Sequence, residues 1–178
     1  TLIELLGKAL PKNTALVTED PLRLVDVGTG SGILGITAKL EYPELDVTLA
    51  DISRHALKIA EQNAKSLHTE VTLLRSDLLA NYAFVANLII ANLPYVDVSW
   101  ERSKETHHEP QDALFAADGG KALIFELLSQ TKAKLATGGT LILEADPEQH
   151  DAIIAEAKKY GLLLQDQQHY GLSFQKLR

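Results

Sequence analysis

The stretch of sequence that decides the fold is residues 25–35, which read VDVGTGSGILG. An apolar run breaks here into glycines at alternate positions, Gly28, Gly30 and Gly32, and then resumes with helical spacing. Because glycine has no Cβ, the backbone N–H groups of such a turn can close on a ligand without obstruction by side chains. The stretch therefore predicts a strand, a ligand-binding turn and a helix in succession.

Two common nucleotide-binding motifs can be compared with this turn. A phosphate-binding loop needs Lys followed by Ser or Thr after its last glycine, whereas Gly35 is followed by Ile36 and Thr37. The dinucleotide fingerprint needs a glycine at its sixth position, and counting from Gly28 that position is Ile33. These mismatches exclude a phosphate loop and leave NAD binding open only in a shifted frame.

Acidic residues follow the turn at positions suited to a nucleoside. Asp51 lies roughly twenty residues beyond the glycines, closes the alternating stretch 45–51 and is placed for ribose hydroxyls. The alternative is that Asp51 only caps a helix beginning near Ser53. Asp77 follows another strand-like run and is placed to accept a hydrogen bond from an adenine amino group, with an ordinary turn residue as the alternative. The glycine turn after Asp26 resembles the S-adenosylmethionine (SAM) loop of class I methyltransferases.

Strand-like and helical runs alternate along most of the chain, which predicts an α/β, Rossmann-like fold with a mostly parallel sheet and helices on both faces. The helical spacing of the N-terminal helix segment, 1–13, stops at Pro11. The last two strands are expected to form an antiparallel hairpin. The predicted strands are 22–27, 45–51, 70–75, 86–91, 140–144, 162–169 and 172–177, and the predicted helices begin at Ser31 and Ser53 or span 120–136 and 147–160.

Open sheets of this class bind ligands at the carboxyl ends of their strands, near the point where strand order reverses. Gly28, Asp51, Asp77 and Asn92 each follow a predicted strand. They are therefore expected to meet at one edge of the sheet and to form one site.

Composition limits the classes of function. With 178 residues and 46% hydrophobic composition, residues 1–178 are predicted to form one domain. The net charge of −7 argues against autonomous nucleic-acid binding, because phosphate contacts need clustered Lys and Arg. The lack of cysteine excludes disulfides, thiolate zinc sites and enzymes that attack pyrimidines through a covalent cysteine. No membrane span or leader is recognised, which predicts a cytoplasmic protein, and a start at Thr1 without any methionine predicts a fragment of a longer product.

A second motif, Asn92-Leu93-Pro94-Tyr95, follows the apolar run 86–91. An amide or aromatic amino nitrogen is a poor nucleophile because its lone pair is delocalised. The Asn92 side-chain oxygen and a nearby backbone carbonyl, that of Leu93, would hold such an NH₂ group and favour charge developing on nitrogen. Pro94 would stiffen the turn and Tyr95 would lie flat against the planar group. The motif predicts methyl transfer to a planar nitrogen, with a strand-ending turn as the alternative.

Several segments together carry a resemblance to a known family. They are 26–32, Asp51, 92–95, Glu109-Pro110, Ala113-Leu114, 118–120, 141–144 and Gln149. Over nearly its whole length the chain resembles the HemK-type protein-(glutamine amide-nitrogen) methyltransferases, which modify the Gly-Gly-Gln loop of peptide-chain release factors. The resemblance implies SAM as cofactor and a release factor as protein substrate. It also implies that the family's N-terminal helical docking domain is absent from this chain.

The resemblance implies a role for each site residue. Asn92 would touch the methyl region of the cofactor and the substrate amide. Leu93 replaces the family's usual first proline, and Leu78, which would border the adenine, stands where many members have tryptophan. The implied cofactor residues are Asp26, Gly28, Thr29, Gly30, Ser31, Gly32, Asp51, Ile52, Asp77, Leu78 and Asn92. The implied catalytic residues are Asn92, Leu93, Pro94 and Tyr95, and the implied substrate residues are these four and Glu109.

Three other functions stay open at this point. The nearest keeps the chemistry but changes the substrate to an amino group of adenine or guanine in RNA or DNA. Another is a SAM- or nucleotide-binding module without catalysis, against which the intact motif 92–95 argues. The most distant is an NAD-dependent oxidoreductase.

The histidines are not expected to have a chemical role. His107, His108, Glu109 and Asp112 look like a metal-binding group, but adjacent histidines rarely bind one ion and the reaction has no use for a metal, so no metal is predicted. Glu109 is expected instead to hold its loop over the pocket. The remaining histidines are predicted to face solvent; they are His55, His68, His150 and His169.

Overall fold

The computed structural model describes residues 1–10, 21–93 and 121–177, together with the backbone of residues 96–97 and 115–116. Within this part of the chain, strands and helices alternate as predicted. The helices are α1 (Leu2–Ala9), α2 (Ile33–Glu41), α3 (Arg54–Ser66), α4 (Ala122–Lys134) and α5 (His150–Lys158). The strands are β1 (Arg23–Val27), β2 (Asp46–Asp51), β3 (Thr72–Arg75), β4 (Ala86–Ala91), β5 (Val96–Asp97), β6 (Phe115–Ala116), β7 (Leu135–Glu144), β8 (Leu162–Gln168) and β9 (Gly171–Lys176).

Seven strands form one sheet in the order β3-β2-β1-β4-β7-β9-β8. The first five strands in this order pair in parallel, whereas β9 is antiparallel to both β7 and β8. The predicted mostly parallel sheet with an antiparallel C-terminal hairpin is therefore confirmed. Strand order reverses between β1 and β4, so the carboxyl ends of these two strands flank the point where open sheets bind ligands.

The core lies on both faces of the sheet because the central strands are apolar on both sides. In β1, Val25 and Val27 face α4 and α5, whereas Leu24 faces the opposite helices. The helix α1 buries Leu2, Leu5 and Leu6 on that opposite face, beside α2 and α3. Helices cover both faces, as predicted.

Three features of the fold differ from the sequence prediction. The strand β7 begins at Leu135 rather than at residue 140, because Leu135 already pairs with Ala86 before the register shifts. The predicted C-terminal helix is divided into a 3₁₀ turn, Pro147–Gln149, and α5, because a capping box at Asp146 closes a separate turn. The parallel pair of short strands β5 and β6 was not predicted.

The prediction that His150 faces solvent is wrong. Only 2% of its surface is exposed. Its Nε2–H donates to the carbonyl of Ala145 at 3.2 Å, and the side-chain amide of Gln167 donates to its Nδ1 at 2.8 Å. Both bonds form when the ring is neutral with its proton on Nε2. The other three histidines, at positions 55, 68 and 169, are exposed as predicted.

The described ranges contain no candidate membrane span and no candidate metal site. None of the helices described is long and apolar enough to cross a membrane. No group of His, Cys, Asp or Glu side chains within the same ranges is arranged to hold a metal ion. The sequence cluster of His107, His108, Glu109 and Asp112 lies outside the described residues.

Candidate functional site

The carboxyl ends of neighbouring strands lie side by side along one edge of the sheet. The end of β1 is in register with the penultimate residue of β2 and with the last residue of β4. Gly28, Asp51 and Asn92, which come next on these strands, are therefore neighbours. The edge continues to Asp77, just beyond β3, and to Glu144, at the end of β7. The predicted placement of the four site positions at one edge is confirmed.

The glycines of the turn after β1 all adopt left-handed backbone conformations. Their φ angles are +67° at Gly28, +55° at Gly30 and +85° at Gly32, values that strain a residue with a Cβ. A Cβ on Gly28 would lie 2.7 Å from Cδ2 of Leu93, and one on Gly32 would lie 2.8 Å from Cδ1 of Ile36. A Cβ on Gly30 would meet no atom within 4 Å, so the turn faces open space at this residue.

Asp26 lies beneath the glycine turn, with 1% of its surface exposed. Its Oδ2 accepts hydrogen bonds from Thr29 Oγ1 at 2.5 Å and from Gly35 N–H at 2.9 Å. Its Oδ1 has no partner in the described part of the chain. Burial raises the pKa of Asp26 to about 6, against the effect of the two hydrogen bonds and with a smaller contribution from the charge of Asp51. Asp26 therefore holds the turn from its buried side through these two hydrogen bonds.

Sequence reasoning did not select Gly35 as a site residue, although it belongs to this arrangement. Besides its bond to Asp26, it lies so close to β2 that an added Cβ would overlap Cδ2 of Leu49. Glycine is unfavourable inside a helix, and its presence in α2 was the available signal of this close approach.

Asp51 connects the glycine turn with the start of α3. Its Oδ2 accepts a hydrogen bond from Gly30 N–H at 2.9 Å, and its Oδ1 accepts one from Ser53 N–H at 2.8 Å. The side chain of Ser53 caps α3 by accepting from Ala56 N–H at 3.3 Å. Because Ser53 supplies this cap, helix capping alone does not account for Asp51. Each carboxylate oxygen still has capacity for a further hydrogen bond.

Two polar residues between the glycines attach the turn to its neighbours through their backbones. Thr29 N–H donates to the carbonyl of Ala50 in β2 at 3.0 Å. The Ser31 carbonyl accepts from Asn63 Nδ2 in α3 at 2.9 Å. Thr29 is buried and Ser31 is exposed, so only the latter presents its hydroxyl group to solvent.

A cavity of about 240 Å³ lies beyond Asp51, at the ends of β2 and β3. Its lining residues are Ile52, Arg75, Ser76, Asp77 and Asn81. The Ile52 side chain is 61% exposed and presents an apolar surface there, and Asp77 is also exposed. Leu78 does not line this cavity, because its side chain is buried in the core.

Asn92 and Leu93 differ in their surroundings. Asn92 is exposed directly after β4. The Leu93 side chain is 4% exposed and packs against Gly28, so its backbone carbonyl is the group that this residue can offer to a ligand. Pro94, Tyr95 and Glu109 lie outside the described residues. Residues 110, 113–114 and 118–120, which carry part of the family resemblance, also lie outside them.

Curated proteins are similar to this chain over most of its length. Release factor glutamine methyltransferase from Deinococcus radiodurans is 35% identical over 141 residues, which are 78% of this chain and 51% of that protein. The protein of the same name from Coxiella burnetii is 33% identical over 163 residues, or 86% of this chain and 54% of that protein. The chain spans about half the length of the curated relatives it matches.

Solved structures show a similar fold. A methyltransferase from Pyrococcus furiosus has a TM-score of 0.72 at 16% identity, covering 89% of this chain and 77% of its own. The 16S rRNA N2 G1207 methyltransferase from Thermus thermophilus, solved in complex with AdoMet and guanosine, has a TM-score of 0.70 at 15% identity, covering 99% of this chain and 42% of its own. At these identities the likeness establishes the class I methyltransferase fold.

The sequence itself matches a methyltransferase family over the glycine turn, Asp51 and the motif that begins at Asn92. The match covers residues 4–112, which is more than half of the chain. The chain belongs to the methyltransferase small domain family.

Proposed function

We propose that this protein transfers a methyl group from SAM to the side-chain amide nitrogen of a glutamine in a peptide-chain release factor. The names of its relatives support the substrate. The observation that carries the proposal is the register of β1 and β4, which makes Asn92 a direct neighbour of Gly28. A nitrogen held by Asn92 would lie beside a cofactor held by the glycine turn. A release factor substrate would place the reaction in the cytoplasm.

The chemistry of the residues at this edge fits SAM. Asp51 offers unused acceptor capacity to ribose hydroxyls beside Gly30, where the turn faces open space. The cavity beyond Ile52 offers an apolar surface to a base and the Asp77 carboxylate to an adenine amino group. The backbone of the turn would hold the methionine part of the cofactor. When bound, SAM supplies an electrophilic methyl group on a sulfonium centre.

The protein's task is to make a delocalised amide nitrogen nucleophilic. The Asn92 side-chain oxygen and the Leu93 carbonyl would accept the two amide N–H groups and so stabilise charge as it develops on nitrogen. Pro94 would orient the Leu93 carbonyl, and Tyr95 would hold the plane of the amide. The nitrogen held in this way would bond to the methyl carbon as the carbon–sulfur bond of SAM breaks, and its proton would pass to water. No strong general base is required.

The substrate is tested with SAM labelled in its methyl group. The protein is incubated with a folded release factor, with a variant in which the glutamine of the Gly-Gly-Gln loop is alanine, with total RNA and with duplex DNA. We expect label on the release factor and none on its variant, since the acidic net charge of −7 disfavours phosphate-rich substrates. Label on nucleic acid alone would overturn the proposal and favour methylation of a purine amino group.

The role of Asn92 predicts a loss of turnover without a comparable loss of cofactor affinity. Asn92→Ala should lower single-turnover methyl transfer by about a hundredfold to a thousandfold, because it removes one preorganised acceptor. The matched control is Asn87→Ala, on the same strand but near its opposite end, where the side chain accepts from Arg23 N–H. The control should keep the wild-type rate. Equal rates in wild type and Asn92→Ala would refute the mechanism.

The role of Asp51 predicts a loss of cofactor affinity. Asp51→Ala should weaken binding of SAM and S-adenosylhomocysteine by about tenfold to a hundredfold, the range expected for a hydrogen bond to a charged group. Asp46→Ala is the control, since Asp46 is exposed at the opposite end of the same strand. Calorimetry that shows wild-type affinity in a folded Asp51→Ala protein would remove Asp51 from the site.

A further inference from the structure

We infer that Gln130, in α4, is a positioning residue that shapes the base pocket of the cofactor site. The base-pocket segment, residues 76–82, contributes Ser76, Asp77 and Asn81 to the cavity of about 240 Å³. The inference rests on the proposed SAM site and adds to it the residue that holds this segment in place.

The base-pocket segment contains a strained residue. Leu78 has φ +46°, in the left-handed region that disfavours any side chain with a Cβ. It is neither Gly nor Asn, and its side chain is 8% exposed within the core. Such a conformation persists only where surrounding contacts over-determine it. The contacts of the residues next to Leu78 therefore decide the shape of the pocket.

Besides the local turn bonds from Ala80 N–H to the Asp77 carbonyl and from Tyr82 N–H to the Leu79 carbonyl, one contact next to the strained residue comes from far along the chain. Leu79 N–H donates to Oε1 of Gln130 at 2.7 Å, across 51 positions of sequence. The Gln130 side-chain nitrogen donates to Oε1 of Glu126 at 3.4 Å. This contact orients the Gln130 oxygen toward Leu79. Leu127 and Leu128 of the same helix are fully buried, so Gln130 stands on a rigid support.

The position of Asp77 depends on this contact because Asp77 directly precedes Leu78. If the strained backbone relaxes, the carboxylate turns away from the place where an adenine amino group would lie. Removing the Gln130 acceptor should therefore weaken the preference for adenine over a base without the amino group. The rate of methyl transfer at saturating SAM should not change, because Asn92 lies on another strand.

The test compares variants that keep or remove one acceptor. Gln130→Met has similar length without an acceptor, whereas Gln130→Glu combined with Glu126→Gln keeps an oxygen for Leu79 N–H and an amide–carboxylate pair between the two side chains. Ser129→Ala is the control on the same helix, since its hydroxyl donates only within that helix, to the Glu126 carbonyl. Calorimetry measures the affinity of each protein for S-adenosylhomocysteine and S-inosylhomocysteine, and the ratio of the two affinities is the readout.

We expect wild type, the Gln130→Glu/Glu126→Gln double variant and Ser129→Ala to share one preference for the adenosyl ligand. In Gln130→Met this preference should fall by about tenfold, the value of one hydrogen bond. A purely structural role would lower stability but leave this ratio unchanged, so an equal ratio in Gln130→Met and wild type overturns the inference. A wild type that binds neither ligand overturns the proposed cofactor site as well. If Gln130→Met does not fold, Gln130→Asn, whose shorter side chain cannot reach Leu79, replaces it.

Discussion

The turn after β1 and the base-pocket segment after β3 begin at the same edge of the sheet, but different residue types adopt their left-handed conformations. Both contain left-handed residues. The turn uses Gly28, Gly30 and Gly32, which adopt this conformation without strain from a Cβ, whereas the segment uses Leu78. The turn after β1 therefore meets no Cβ strain in this conformation, whereas the segment after β3 needs surrounding contacts that hold Leu78 in place.

Each region combines local hydrogen bonds with distant ones. In the turn, Asp26 bonds to Thr29 and Gly35, which lie 3 and 9 positions away. In the segment, Leu79 bonds to Gln130 across 51 positions. Gly30 of the turn also bonds to Asp51 across 21 positions, and Asn81 of the segment bonds to Ser76 across 5. The ammonium group of Lys134 in α4 also donates a hydrogen bond to the carbonyl of Tyr82. The glycines make the turn recognisable in the sequence, whereas no residue type marks Leu78 as left-handed.

The largest effect should come from filling the turn. Gly32→Ala places a side chain at φ +85°, with its Cβ 3.2 Å from Leu49 and 3.1 Å from Ala60. Left-handed strain of about 1–2 kcal/mol and overpacking of about 1–3 kcal/mol predict a loss near 3 kcal/mol in the free energy of unfolding. Urea denaturation measures it. A loss below about 1 kcal/mol would show that the turn adapts to a side chain.

Asp26→Asn should change the pH dependence of stability. The pKa of Asp26 rises from 3.8 unfolded to about 6 folded, so its favourable contribution is complete below about pH 4 and is lost as pH rises through about 6. Between pH 4 and pH 8, wild type should lose about 2 kcal/mol more unfolding free energy than the variant. Denaturation at a series of pH values gives this difference. Parallel profiles for the two proteins would contradict it.

A smaller effect on stability should follow from removing a hydrogen bond within the base-pocket segment. Ser76 is buried, and its Oγ accepts from Asn81 N–H at 3.0 Å. Ser76→Ala should lower the unfolding free energy by about 1–2 kcal/mol, because a backbone donor loses its partner. Ser66→Ala is the control, since Ser66 is exposed at the end of α3 and should change stability by less than about 0.5 kcal/mol. Similar losses in both variants would show that the bond does not support the segment.

The smallest effect should come from the glycine that faces open space. Gly30→Ala has φ +55° but no atom within 4 Å of the added Cβ. Only conformational strain remains, which predicts a loss of about 1 kcal/mol. Comparison with Gly32→Ala in the same urea series separates strain from packing. Equal losses in the two variants would show that packing around Gly32 contributes nothing.

Much of the fold was predictable because local hydrophobic patterning decides it. The strand β4 was predicted at its observed bounds, 86–91, since a short apolar run between turns leaves little choice. The burial of His150 was not predictable, because it depends on Gln167 and on the carbonyl of Ala145. The start of β7 at Leu135 also depends on pairing with another strand.

The candidate site, like the fold, was predictable only in part. Gly28, Asp51, Asp77 and Asn92 are expected at one edge because each follows a strand, and the strand register confirms that these residues lie there. The roles of these residues toward a cofactor and a substrate stay predictions. Gly35 could have been selected from its unfavourable place inside a helix.

By itself, the sequence determined the order of the helices and of the strands of the main sheet, the glycine turn and the edge at which the candidate site lies. These properties depend on residues close together in the chain, through hydrophobic periodicity and the conformational freedom of glycine. Only the tertiary structure decided that Asp26 is buried beneath the turn, that Leu78 is left-handed and that Gln130 supports its neighbour. Burial and long-range hydrogen bonds exist only after distant segments pack, so no local pattern specifies them.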